Sequence, residues 1–323
     1  MRRREFMALV GGATVWWPLA AYAQPRVSRL GVLLFGSALL PNELRITREL
    51  ARIGYVDGRN VTYVVRAAEG DVSRLPLLAR ELVAAMPGVI VGQGSPTAVA
   101  LFNATHDIPI VMTVVGDPIA LGLTSSISRP THNITGFTIS SLSLAAKRLQ
   151  LLQSVVPSLH KAAYFWAPAN PLAKAFEVQV RQAAKVLGIE LISLPVKSAD
   201  DIDNAFTRAE QDRAKAVLVE ADPILLRFTS SIVDHCLIFG LPSMHAWAFE
   251  VHNGALMSYG PPSIENNSGA ASYVDRILRG AKIAELPFVE PTEIKLTINL
   301  RTARTLGIVF SSTVLATADE VIE

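Results

Sequence analysis

From Arg29 onward the chain alternates short aliphatic and β-branched runs with longer stretches of amphipathic character. No other feature constrains the fold as much. Leu30–Phe35, Val61–Arg66, Val89–Val91 and Ile110–Val115 predict strands, and Glu43–Ile53, Ser73–Ala85 and Thr97–Ala104 predict helices. Strand and helix in succession imply a parallel sheet covered on both faces. The rhythm then begins again. A helix over Leu142–Val155 stops before Pro157, strands follow at Ala162–Trp166, Ile189–Leu194 and Ala216–Val219, and helices at Leu172–Leu187, Ala199–Ala209 and Ile224–Phe239. Short strands near Pro242–His245 and Ala255–Ser258, a helix Ile264–Leu278 and a strand Glu293–Ile298 complete the second half. Gly54, Gly188 and Gly240 supply the usual helix stops. The expected fold class is α/β, with two similar lobes on parallel sheets. A single large open sheet is the alternative.

Composition agrees with two lobes. At roughly 100–200 residues per domain, 323 residues suffice for two. A hydrophobic fraction of 50% excludes intrinsic disorder, and a single Cys excludes a disulfide framework. The formal charge of +2 resides in Arg2, Arg3, Arg4 and Glu5, so the chain from Gln24 onward is neutral. Such a chain carries no electrostatic footprint for nucleic acid or anionic lipid. Those arginines precede an uncharged stretch, Met7–Ala20, and Ala21-Tyr22-Ala23 forms a small-residue cleavage site. Residues 1–23 therefore read as an export signal, whose uncharged stretch of about 14 residues is too short for the roughly 20 of a spanning helix. Arg3-Arg4-Glu5-Phe6-Met7 resembles the twin-arginine pattern; a general secretory signal is the alternative. A periplasmic mature protein is expected.

Four times a strand runs into a polar residue followed by Pro: Ser95-Pro96, Asp117-Pro118, Asn170-Pro171 and Asp222-Pro223. Ser, Asp and Asn accept hydrogen bonds from the free N–H groups of a first helical turn, and Pro suits a position whose N–H is unused. Each joint thus predicts a helix N-terminus at the carboxyl end of a strand, the edge where open α/β sheets bind ligands. N–H groups around Gly94 and Ser95 suit a carboxylate, and Asp117 or Asp222 an ammonium group. Ordinary helix capping is the competing explanation for each joint. Phe35, Trp166, Trp247 and Tyr259 flank strand ends, where an aromatic side chain can wall a cleft or simply join the core.

Other chemistry finds little support. Gly92-Gln93-Gly94 lacks the third glycine of a dinucleotide fingerprint, and there is neither a P-loop nor a G-x-S-x-G. His245, Glu250 and His252 do not have the spacing of a helical metal motif. No cofactor, metal or catalytic residue is expected.

Several stretches resemble the ABC-transporter substrate-binding family that includes receptors for tryptophan and other aromatic amino acids. They include 54–61 (GYVDGRNV), 68–71 (AEGD), 74–76 (RLP), 115–118 (VGDP), 133–136 (NITG) and 145–149 (AAKRL). Further along come 168–171 (PANP), 221–223 (ADP), 256–261 (LMSYGP), 273–280 (YVDRILRG) and 318–323 (ADEVIE). The resemblance implies a type 1 periplasmic-binding-protein fold, with two Rossmann-like lobes joined by three crossovers near Phe137, Tyr259 and Pro291. Lobe I would hold 27–136 and 260–290, and lobe II 137–259 and 291–323. It implies ligand contacts from Phe35, Gly36 and Ser37, from Ser95 and Thr97, and from Asp117, Asn170, Asp222 and Tyr259; Gly94 and Trp166 complete the expected site. Ala38–Arg45 is more apolar than is usual in the family, and Phe165-Trp166 is bulkier.

The function implied is that of a monomeric receptor for an ABC importer. It would capture a small anionic or zwitterionic solute, aromatic ones included, between its lobes and present it to a membrane permease. The alternative is an enzyme using Asp117 and Asp222 as an acid/base pair across the cleft.

Overall fold

The computed structural model describes residues 28–139, 141–262 and 266–323. The expected export signal, residues 1–23, lies outside them. Five strands form the first sheet: β1 (Ser28–Leu34), β2 (Val61–Ala67), β3 (Val89–Gln93), β4 (Ile110–Val115) and β5 (Ile134–Thr138). Their order is β2-β1-β3-β4-β5, parallel throughout. Helices α1 (Arg45–Arg52), α2 (Leu75–Ala84) and α3 (Ser95–Ala104) alternate with these strands. Burial explains the pattern: every residue of β4 and β5 is buried, as a sheet covered on both sides requires.

After β5 the chain crosses to a second sheet through α4 (Ser141–Val155). Its strands are β6 (Lys161–Trp166), β7 (Glu190–Pro195), β8 (Ala216–Val219), β9 (Ser243–His245) and β10 (Met257–Gly260). The helices here are α5 (Ala173–Leu187), α6 (Asp200–Gln211), α7 (Thr229–Ile238) and the short α8 (Ala248–His252). Helix α5 shows how sequence sets orientation. It buries Phe176, Val180 and Ala184, one turn apart, and ends at Gly188 in the left-handed conformation. Each such side chain, when fully buried, contributes roughly 1.5–3 kcal/mol for the large apolar types.

The chain then returns to the first lobe, where α9 (Asn267–Leu278) packs on α1 and on β4. A backbone bridge joins Phe137 to Val289, and the chain crosses a third time into β11 (Lys295–Asn299). Helices α10 (Leu300–Thr305) and α11 (Ser312–Thr317) and strand β12 (Glu320–Ile322) finish the second lobe. Its sheet runs β12-β11-β10-β9-β8-β6-β7. One pair departs from the all-parallel expectation: β11 enters from the other lobe and pairs antiparallel with β10. Among the described residues no helix is long and apolar enough to cross a membrane.

Candidate ligand-binding site

The carboxyl ends of the two sheets face one another across a cavity of about 190 Å³. From the first sheet it is lined by residues that end or follow β1, β3 and β4, namely Phe35, Gly36, Gln93 to Ser95 and Val114 to Gly116. From the second it takes residues that follow β6, β8 and β9, among them Asn170, Leu172, Ala221, Pro223 and Trp247. Phe176, Leu226 and Arg227 come from the helical segments beyond, and Ile139 from the first crossover. Most of the wall is apolar.

The lobes also touch at the mouth. Phe35 and Gly36 accept from the N–H groups of Gly70 and Glu69 through their carbonyls, at 2.7 and 3.1 Å. That pairing holds the β1 and β2 loops together. Arg227 Nη1 then donates to the Gly70 carbonyl at 2.8 Å, a bond from one lobe to the other. A Cβ on Gly70 would overlap this guanidinium, and its φ of +76° already favours glycine. One apolar cluster runs through both lobes, with Phe35 and Ala68 on one side and Ala167, Ile224 and Leu225 on the other.

The four Pro joints have different fates. Gly94, at φ +86° and ψ 155°, is the residue that caps α3, and Ser95 is its first helical residue. Ser95 Oγ instead accepts from Gly116 N–H at 3.0 Å, tying the end of β3 to that of β4. Asn170 lies two residues ahead of the α5 cap: Oδ1 accepts from Leu172 N–H at 2.9 Å, and Nδ2 donates to Asp222 Oδ2 at 2.5 Å. Asp222 is wholly buried, and its Oδ1 accepts from the N–H groups of Ile224 and Leu225 ahead of a short 3-10 turn. Burial pushes its carboxyl up to about 6, against the pull of those hydrogen bonds. Asp117 caps a turn, not a helix. Its Oδ1 accepts from Ile119 and Ala120 N–H, and the residue lines a separate cavity of about 150 Å³ beside Ser143 and Glu290.

Of the residues expected from sequence, the cavity brings together Phe35, Gly36, Gly94, Ser95 and Asn170. Six lie outside its lining. Ser37 is exposed one residue beyond it, and Thr97 is buried inside α3 with Oγ1 lacking a partner among the described residues. Trp166 turns to β7, its Nε1 donating to Ser193 Oγ at 2.9 Å. Tyr259 packs against the second core and offers its carbonyl to Arg148 Nε at 2.7 Å. Asp222 stands behind Asn170, and Asp117 in its own cavity. The two aspartates therefore do not face a common gap, and the acid/base pairing has no geometric basis. Phe176 and Leu226 were not singled out because an apolar residue on a helix reads as core whether it meets a sheet or a cavity.

Beneath the second wall lies a buried ionic network. Glu220 accepts from Tyr164 Oη and, at 2.8 Å, from Ala221 N–H. Burial pushes its carboxyl up to about 7, although Tyr164 and Arg148 pull it down. Burial likewise lowers the Arg148 guanidinium, opposed by Glu220 and Glu250. Glu250 accepts from the backbone N–H of Trp247 at 3.2 Å and from His245 Nδ1 at 2.9 Å, which holds the backbone from which the cavity-lining indole projects. His252 bonds instead to Glu320, and no group of three or more potential metal ligands occurs among the described residues.

Two lobes whose strand ends meet over one small cavity define a type 1 periplasmic binding fold. The chain belongs to the ABC transporter substrate binding protein family, whose model matches residues 32–322. A tyrosine-binding protein of Clostridioides difficile strain R20291 is 24% identical over 253 residues, covering 78% of this chain and 72% of that protein. A crystal structure of a conserved domain protein from Vibrio cholerae superposes with a TM-score of 0.83 at 24% identity, covering 92% of this chain and all (100%) of the other. An ABC domain in complex with L-Trp from Streptococcus pneumonia gives a TM-score of 0.79 at 24% identity, over 91% and 99% of the two chains. Members of this family are substrate-binding proteins, not enzymes, and they serve ABC permeases by binding small molecules. This chain is such a receptor.

Proposed function

We propose that the cavity between the sheets is the solute site, and that closure of the lobes around the solute is the signal read by the permease. The observation that carries this reading is the double lining: Phe35, Gly94 and Ser95 from one lobe and Asn170, Phe176 and Trp247 from the other border the same 190 Å³. A ligand touching both walls favours the closed form by its differential contacts, as hinge closure requires. Lobe I comprises 27–136 with 260–290 and lobe II 137–259 with 291–323, except that Phe137 and Thr138 end β5 in the first sheet and Gly260 ends β10 in the second. Small aromatic solutes suit the apolar wall, and the tyrosine and tryptophan named for two relatives support that class. The protein acts as a periplasmic monomer, exported through residues 1–23 with cleavage after Ala23, and binds no nucleic acid.

The test is to plug the cavity. Ala221→Trp places a large ring at its second wall, and Leu226→Trp is a milder plug. Native mass spectrometry of the exported protein should find a bound solute in the parent chain that both variants lack, with circular dichroism unchanged. A solute retained in both folded variants would remove the cavity from consideration.

A further inference from the structure

The hydrogen-bonding capacity left over around the cavity is lopsided. No Asp, Glu or Lys lines it, and its one formal charge is the Arg227 guanidinium at the mouth. Asp222, behind the wall, is wholly buried and already accepts from Asn170, Ile224 and Leu225. Two side-chain acceptors on the wall are similarly engaged. Ser95 Oγ takes Gly116 N–H and Asn170 Oδ1 takes Leu172 N–H. Donors remain. Ser95 keeps its hydroxyl proton, Arg227 uses Nη1 on Gly70 and has further N–H groups, and the Trp247 indole N–H is buried with no partner among the described residues. The wall offers no ionised acceptor to an ammonium group, while its donors suit a carboxylate.

We infer that this receptor takes a small monocyclic aryl carboxylate without an α-ammonium group, its ring against Phe35, Phe176 and Trp247 and its carboxylate toward Ser95 and Arg227. This rests on the cavity being the solute site. Size agrees: a dry cavity of about 150 Å³ takes benzene, and 190 Å³ adds room for a short acid chain but little for a second ring. An amino acid with the same ring would carry a cation into an apolar enclosure without a counter-charge, a heavy penalty. A carboxylate there gains charge-assisted hydrogen bonds from the guanidinium.

Isothermal titration of the mature protein with four probes of one skeleton separates the possibilities: 3-phenylpropanoate, 3-phenylpropanamide, L-phenylalanine and 2-phenylethylamine. The acid is expected to bind at least 10-fold tighter than L-phenylalanine and the amide, and the amine not to bind. Arg227→Gln should erase most of the preference for acid over amide, any loss common to both probes being that of the weakened contact between the lobes. L-Phenylalanine binding as tightly as the acid, an amide as good as the acid, or no binding by any probe would each overturn the inference. The plugged variants tell its failure from that of the site itself. Binding of any probe that Ala221→Trp and Leu226→Trp abolish leaves the cavity standing whatever the preference, whereas binding that survives both removes it.

Discussion

The first sheet meets the cavity through Gly36, Gly94, Ser95 and Gly116 beside Phe35, Gln93 and two valines, whereas the second meets it mainly through large side chains, Leu172, Phe176, Leu226 and Trp247. The foundations differ as well. Arg148, Glu220, Asp222, His245 and Glu250 are buried in the second lobe, while the buried polar groups of the first, such as Thr97, Thr113 and Thr135, are neutral hydroxyls. A wall of backbone is held by the sheet's own ladder, as Ser95 joins the ends of β3 and β4. A wall of large side chains depends on how their backbone is held, and Glu250 holds it at Trp247. Each lobe thus supplies what the other lacks, and neither alone encloses a solute.

The contrast is most exposed at Arg148. Its side chain is 2% exposed, donates to the Tyr259 carbonyl and feels the charges of Glu220 and Glu250. Arg148→Met keeps the length and removes both the charge that favours ionised Glu220 and the bond to the Tyr259 carbonyl. Together these should cost about 3 kcal/mol, and urea unfolding should show a loss of that size at pH 8. At pH 5 the loss should shrink, because Glu220 can then take up a proton. An equal loss at both pH values would mean that the network does not depend on charge.

Glu220 gives a finer probe of the same foundation. Its folded carboxyl is raised to about 7 from an ordinary 4.5, so between those values the native protein binds more protons than the unfolded chain. Stability contributed by this group is therefore present below pH 4.5 and lost as pH rises through 7. Glu220→Gln cannot titrate. Relative to the parent it should gain on the order of 2–3 kcal/mol of unfolding free energy between pH 4.5 and pH 8. A flat difference across that range would place Glu220 in contact with water.

These expectations draw on groups the sequence discloses unevenly. Strands β4 and β8 are legible to the residue, since Ile110–Val115 and Ala216–Val219 are short, rich in β-branched residues and too brief for a helix. Strand β5 was not singled out: Gly136 interrupts its apolar run, and its pairing is long-range. The short α10, α11 and β12 were also unread, being too brief for any periodicity. In the site, Gly94, Ser95 and Asn170 were legible because turn chemistry is local. Asp117 and Asp222 carry the same local signal, yet one caps a turn beside another cavity and the other turns inward to Asn170. Which way a capping side chain faces is set by tertiary packing, as is the service of Phe176 as wall.

On the first lobe the matching probe is Gly94→Ala. At φ +86° and ψ 155° the backbone occupies a region nearly restricted to glycine, so Ala should cost about 1–3 kcal/mol. A new Cβ would sit 3.6 Å from Pro223 Cγ, an ordinary contact, so the cost is conformational and not one of crowding. Thermal unfolding at pH 5 and pH 8 should give the same loss, in contrast to Arg148→Met. A pH-dependent loss would blur the distinction between a backbone wall and an ionic one.

The smallest effect is expected where the two lobes join. Arg227 is exposed, and its bond to the Gly70 carbonyl competes with water, so Arg227→Ala should change global stability by no more than about 0.5 kcal/mol. Its consequence lies in the balance between open and closed forms. Loss of one charged hydrogen bond present only when the lobes meet, worth about 1 kcal/mol after solvent screening, shifts that balance roughly fivefold toward the open form. Fluorescence transfer between dyes on the two lobes of the ligand-free protein should report the shift as a longer mean separation, with the melting temperature nearly unchanged. An unaltered separation would mean that Phe35, Ile224 and Leu225, which share one apolar cluster, hold the lobes together without the guanidinium.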